Sequence, residues 1–523
     1  MNNILLNLLK YQVFVAIYIL DCRITIKNYQ YFKLTTMNKK TIITLILAIV
    51  AAISTRAIDA KHFYSGTAVL KGRILNKPAD EWNVLKVQTR NMFANEDEVI
   101  TIPVAYDGSF EANIHLLHSH SIYIVDIGRV FLAVGDTLEL TKDAAQEEYK
   151  GFTFAGNNTS AVINRLWPEL SKHYYGEEGL FIKGLEREKM PAWKKSVVKK
   201  LDAVIADIEA DRLPLPANTT DFEKEVLGAS LLSEPLMAMM ENYRLNIIGG
   251  NLSKMNKAEF GEYYDFVKDR AKWLLDNPAM LFIVPGADTF IGRVWVYMML
   301  DVSFAPHKAG ESRFDYNQRV LQIIQERYGL KNVDFMQQMV LSIEVFSKIE
   351  NDEDITPDDV AENFAAMIPF VSNPVVAHHA LQRYRQYVKR YELKIAEQKP
   401  LTKGDSIFQR IIEPYKGYGL FVHFWGMYCG PCRVEMQKER EKVEKSLGKP
   451  VRFLYICDEK ESPREYSEEW MTENNIKGEH IYITHDEWNL LSAKFQFAGP
   501  PFATGVDKDG NIVPVSEINK YLE

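Results

Sequence analysis

Near its C-terminus the chain reads FVHFWGMYCGPCR, from Phe421 to Arg433. An apolar run meets a Cys-Gly-Pro-Cys turn, and a charged, helix-favouring segment follows. That order predicts a buried strand whose end releases two thiols, Cys429 and Cys432, at the start of a helix. Free N–H groups and the positive end of the dipole at a helix start favour a thiolate over a thiol. The thiolate is the attacking species in disulfide exchange. Cys432, one turn along, is expected to be the more buried and to displace whatever Cys429 captures. Pro431 fits because the first helical turn needs no N–H donor there, and Gly430 leaves room for an approaching chain. A structural zinc needs four ligands, usually from a second CxxC or a histidine pair. None lies nearby in the sequence, so neither metal nor any cofactor beyond the Cys429–Cys432 pair is expected.

The rest of the composition narrows the classes further. At 523 residues the chain is too long for one core, and two to four domains are expected at about 100–200 residues each. Apolar content of 47% with 25% charged residues describes a globular chain. The net charge of −8 and the lack of a long basic tract argue against nucleic acid as a partner. The four cysteines, Cys22, Cys429, Cys432 and Cys457, are too few for a disulfide scaffold.

The front end, 1–60, reads as a leader. Met37-Asn38-Lys39-Lys40 precedes an apolar run from Thr41 to Ile53 and then small and polar residues. This is the order of a secretory signal peptide over 37–60, with cleavage expected within 54–60 and Met37 as the preferred start. The run is shorter than the roughly 20 residues of a membrane span. A longer, membrane-anchoring leader is the competing reading. Either way the bulk of the chain is expected in the periplasm or cell envelope.

Three regions follow. Residues 62–150 show short β-branched and aromatic runs divided by Asp107-Gly108 and Gly135-Asp136, which predicts an antiparallel β-sandwich. Residues 155–398 switch to helical periodicity and predict an all-α region, with Thr356-Pro357-Asp358-Asp359 as one helix start. Lys399 to Gly404 reads as a linker. Residues 401–523 then read as strand, helix, strand, helix, strand, helix and a final hairpin, an α/β domain with a partly parallel sheet.

Those last residues resemble the thioredoxin fold, and most closely the exported TlpA-like disulfide reductases. The resemblance rests on HFWGMYCGPCR (423–433), Gly499-Pro500-Pro501-Phe502 and VDKDGNIV (506–513). The regions ahead of it more faintly resemble accessory parts of envelope proteins. It implies that Pro501 is the cis-proline opposite the cysteines. The residue before it normally pairs with substrate through its backbone, but Pro500 has no N–H to donate. His423 stands where thioredoxins carry a buried acid. It is either a proton shuttle for Cys432, if it titrates near neutrality, or a hydrogen-bonded core histidine. Tyr428 replaces the commoner tryptophan before the first cysteine, and Trp425 is expected to support the active-site helix. Cys457 ends the strand parallel to 418–425 and is read as a buried inert thiol or a third redox thiol.

Weaker constellations remain. His115, His118 and His120 have a spacing that could hold a metal, although strand alternation argues against it. Asp507-Lys508-Asp509-Gly510 is a hairpin turn. Arg383, Arg385, Lys389, Arg390 and Lys394 read as a solvated helix face. Together these features lead to an exported thiol–disulfide oxidoreductase that reduces disulfide-containing envelope proteins. The resemblance implies a membrane electron donor. The alternatives are a disulfide oxidase or isomerase, and an envelope binding protein with an auxiliary redox domain.

Overall fold

In the computed structural model of the chain, the described residues are 60–91, 96–247 apart from 177, 178, 181 and 183, 373–396 and 402–522, with isolated positions between 249 and 371. The leader before residue 60 and the helix start expected at Thr356 lie outside them. None of the described helices is long and apolar enough to cross a membrane.

Apolar residues at alternate positions build the first module. Its strands are β1 (Gly66–Leu75), β2 (Val84–Asn91), β3 (Glu96–Pro103), β4 (Ser109–Leu116), β5 (His120–Ile124), β6 (Gly128–Leu132), β7 (Thr137–Asp143) and β8 (Phe152–Ala155). They form two four-stranded sheets, ordered β4-β1-β7-β8 and β3-β2-β5-β6. One core joins them, with Leu70, Ile114 and Leu140 from the first sheet and Val87, Ile102, Ile122 and Leu132 from the second. Pairing is not antiparallel throughout, because β1 runs parallel to β7. Between these two strands the chain visits the second sheet twice, as β2–β3 and as β5–β6, returning to the first sheet in between as β4.

Helices follow: α1 (Thr159–Tyr175), α2 (Met190–Glu209), α3 (Asp221–Asn242) and α4 (Pro374–Ala396). Asn164 of α1 clips the open edge of β6, accepting from Phe131 N at 2.8 Å and donating to Phe131 O at 2.7 Å. At the other end of this region, His379 of α4 meets Phe63 O at 3.1 Å. The helical core and the two-sheet module are therefore tied at both ends of the helical segment.

The last module opens on a helix that the sequence reading did not include. Thr402 caps α5 (Lys403–Ile412) in a reciprocal box, with Asp405 N donating to Thr402 Oγ1 at 3.1 Å and Thr402 N to Asp405 Oδ2 at 2.7 Å. Thr402, read as part of a linker, is this cap. Then come β9 (Gly419–Trp425), α6 (Gly430–Lys445), β10 (Val451–Asp458), α7 (Arg464–Glu473), β11 (Glu479–Ile483), α8 (His485–Phe495), β12 (Phe502–Val506), β13 (Ile512–Val513) and the short α9 (Val515–Ile518). The sheet order is β11-β10-β9-β12-β13. β9, β10 and β11 are parallel, and β12 and β13 are antiparallel additions. Every residue of β9 is buried. Leu420, Val422 and Phe424 join one apolar cluster with α5 and α8, and Phe421 and Trp425 join another with α6 and α7. This two-sided burial explains why the strand reads as an unbroken apolar run. It also brings the ends of β9 and β10 to one edge of the sheet, where the cysteines sit.

Candidate active site

After Trp425 the chain turns through Gly426, Met427 and Tyr428 into α6. The turn is closed by Cys429 N donating to Gly426 O at 2.9 Å. A Cβ at Gly426 would lie 2.7 Å from the Tyr428 ring and 3.1 Å from Ser462 Oγ, so a larger residue would have to push these side chains aside. Ser462 Oγ, from the β10–α7 loop, accepts from Met427 N at 2.9 Å. Tyr428 is left 58% exposed beside the cysteines.

Cys429 is the N-cap residue of α6. Its backbone is extended (φ −84, ψ 92), and its Sγ accepts from Cys432 N at 3.2 Å. Gly430 and Pro431 open the helix, and a Cβ at Gly430 would meet nothing within 4 Å. Cys429 and Cys432 are joined as a disulfide, with their Cα atoms 5.3 Å apart. In this bridged form they are 5% and 3% exposed, a smaller contrast than expected. When the bond opens, the Cys432 N–H and the helix start favour a negative charge on the sulfur of Cys429.

The supporting residues fall around this pair. Trp425 is buried with Cys429, Cys432, Cys457 and Met436 in one cluster, and its ring lies 5.8 Å from that of Trp470. It is a packing residue. Cys457 pairs in register with Trp425. Burial, followed by the neighbouring carboxylates Asp458 and Glu459, pushes its thiol up to about 12. It therefore stays protonated and offers no third nucleophile at neutral pH. Phe502 pairs with Phe424 in the antiparallel register, which puts the exposed Pro501 level with Trp425 at the same sheet edge. The Pro500–Pro501 bond is cis.

His423 is buried in β9. Burial pushes its imidazole down to about 4, with the nearby Lys442 adding to the shift, so it is neutral at pH 7 and does not titrate there. Its Nε2 lies 3.3 Å from Glu439 Oε2. Burial, and then Glu435, push the Glu439 carboxyl up to about 7. The group near neutrality beneath the active-site helix is thus a glutamate on α6 and not the strand histidine. Sequence reading missed Glu439, although its place was legible. Cys432, Met436 and Val443 form the buried face of α6, and Glu439 falls on that same helical stripe.

The weaker constellations come apart. His115 is exposed while His118 and His120 are buried, and the His118 ring lies 5.7 Å from that of His379. The three histidines of the spacing argument do not form one site. Asp126, Glu148 and Glu461 gather their oxygens within 4.8 Å of one another, but Lys460 pairs with Asp126 at 3.0 Å and Glu148 at 3.3 Å. Arg383 is buried, its guanidinium 5.2 Å from the centre of the Phe346 ring, so the basic stripe is not solvated throughout. The side chains of Lys389, Arg390 and Lys394 lie outside the described residues.

No protein-family model and no curated protein matches the chain. Among solved structures, about a fifth of it is similar to a Bacteroides vulgatus protein described as a thiol–disulfide oxidoreductase, at 26% identity over 20% of this chain and 65% of that one, with a TM-score of 0.18. The thioredoxin domain of another thiol–disulfide oxidoreductase from Bacteroides vulgatus is 18% identical over 21% of this chain and 84% of that one, TM-score 0.20. StoA from Bacillus subtilis is 16% identical over 21% and 87%, TM-score 0.18. The chain spans less than two thirds of the length of the first of these proteins.

Proposed function

We propose that the chain is an exported thiol–disulfide oxidoreductase that reduces disulfides of cell-envelope proteins. The observation that carries this reading is the cap geometry, in which Cys429 Sγ sits on the Cys432 N–H at the start of α6 with its partner sulfur in reach. The Cys429 thiolate attacks one sulfur of a client disulfide. A bond forms between Cys429 and that sulfur, and the other client sulfur leaves as a thiolate and takes up a proton. Cys432 then loses its proton and attacks Cys429 Sγ, which releases the second client thiol and closes the Cys429–Cys432 bond. The client gains two electrons and the dithiol loses two. A thiol-based electron donor must reopen the bond, and a membrane donor fits an exported chain. Export itself is supported by the basic, apolar and small-residue order of 37–60. The Gly-Pro pair between the cysteines favours the reducing direction, as in thioredoxin.

Two measurements test this. Equilibration of the full chain with glutathione should give a potential below about −220 mV, in the range of reducing members of the fold. A value near −120 mV, like that of a strong oxidant, overturns the reducing direction. Cys432→Ser should accumulate clients bound covalently through Cys429 in the exported compartment, and Cys429→Ser should bind none. Absence of any adduct to the Cys432→Ser chain favours the binding-protein alternative.

A further inference from the structure

The two-sheet module touches both loops that flank the cysteines. Along β2, Leu85 and Val87 point into the core, which sends Lys86 and Gln88 to the opposite face. There Lys86 Nζ donates to Ala498 O at 3.0 Å and Gln88 Nε2 donates to the same carbonyl at 2.9 Å. Ala498 heads the loop that runs through Gly499 and Pro500 to Pro501 and into β12. Lys86 is 3% exposed, and its Nζ lies 5.8 Å from the centre of the Phe497 ring. An ammonium group buried in this way needs a partner, and the Ala498 carbonyl is one.

Further contacts fix the surrounding elements. Gln496, just before this loop, donates to Val99 O at 2.9 Å and accepts from Val99 N at 3.1 Å, lying along β3 like a short piece of strand. At the other end of α8, Asn83 N and Nδ2 donate to Asp486 Oδ2 at 3.2 and 3.0 Å. On the second loop, Lys460 pairs with Asp126 at 3.0 Å. Ser462 on that loop holds Met427, next to the cysteine turn.

We propose that Lys86 and Gln88 are positioning residues of the redox site: from a separate module they hold the Ala498–Pro501 loop where a client chain must lie to present its disulfide to Cys429. This rests on the redox reading above. The loop lies at the catalytic edge but holds no reacting atom, so the pair acts on how a client polypeptide is received and not on the chemistry of the sulfurs. A small disulfide reaches Cys429 through the open space above Gly430 and needs no loop.

The test compares two substrates on the full chain: insulin as a protein disulfide, turned over with dithiothreitol reopening the Cys429–Cys432 bond, and 5,5′-dithiobis(2-nitrobenzoate) as a small one, consumed in a single turnover by chain reduced beforehand and freed of dithiothreitol. Lys86→Met with Gln88→Leu should lower kcat/KM for insulin by about tenfold, mainly through KM, as expected for loss of a charge-assisted hydrogen bond. The rate with the small disulfide should stay within about twofold of wild type, well inside one decade, and the Cys429 pKa within about 0.3 unit, the same factor in its ionisation constant. Lys86→Arg with Gln88 intact should restore most of the insulin rate. Gln88→Leu alone keeps the buried ammonium and its carbonyl, and should move the insulin rate in the same direction by a smaller factor. Unchanged insulin turnover overturns the proposal, as does an equal loss on both substrates in Gln88→Leu. A wild-type chain that reduces neither substrate overturns the redox reading instead.

Discussion

At the scale of single residues, the site depends on groups that fit only one way. Gly426→Ala places a methyl group against both Tyr428 and Ser462. It is expected to cost about 2 kcal/mol of stability, as overpacking does, and to shift the Tyr428 ring signals in NMR spectra. Glu439 gives a sharper test because its sign is fixed. Its carboxyl lies at about 7 against an ordinary 4.5, so the folded state resists its ionisation, and stability falls as pH rises between those values. His423, Tyr455, Glu435 and Lys442 are the titratable groups around it. Glu439→Gln should leave the unfolding free energy at pH 4 nearly unchanged and raise it at pH 8 by about 1 kcal/mol, allowing for partial solvation. Denaturant titrations at the two pH values measure the difference. The cysteines were legible because their spacing carries chemistry, whereas Pro501 was picked out only through the resemblance. Glu439 was hidden because a glutamate on a charged helix looks solvated until the buried stripe is traced through Cys432 and Met436.

Among elements, α8 shows how a helix can belong to two cores. It carries Trp488 and Leu491 into its own sheet and packs against β2 and β3 of the other module. Its first residue, His485, lies 2.5 Å from Asp458 through Nδ1 and 3.3 Å from Asp126 through Nε2. Burial opposes the charge of this imidazole, but the two carboxylates outweigh it and raise the group to about 9. Lys460, Glu148 and Glu461 complete the charged surroundings. The resulting stabilisation is fully present below the ordinary histidine value of 6.5 and is lost as pH rises through about 9. His485→Gln should therefore cost about 2 kcal/mol at pH 6 and much less at pH 10, which thermal unfolding across that range reads out. The elements of 418–515 were legible because strand and helix periods alternate cleanly along the chain. The start of α5 was not, since a capping threonine and a flexible polar stretch use the same letters. The parallel β1–β7 pair was not legible either, because strand direction depends on which sheet the intervening chain visits.

For the whole molecule, modules far apart in the chain meet where the chemistry is. Lys86, Asp126 and Gln88 precede the cysteine turn by more than half the chain, and no local pattern marks them as partners of Ala498, His485 and Lys460. This is why the cysteine site could be read from sequence and its surroundings could not. Each module was visible through its own periodicity, whereas a contact between modules leaves none. The order along the chain has a further consequence. Synthesis runs from the N-terminus, and domains generally fold as units in that order. The module bearing Lys86 and Gln88 emerges first, so its surface is complete before Ala498 follows, and the docking of α8 onto β2 and β3 comes last. A newly translocated chain thus has a stage in which Cys429 and Cys432 already sit at a helix tip while the Ala498 carbonyl is not yet held by Lys86 and Gln88. Pulse-labelled chains stopped before that docking, with the Cys429–Cys432 bond opened by dithiothreitol and the reductant then removed, should react with small disulfides and not yet with folded proteins.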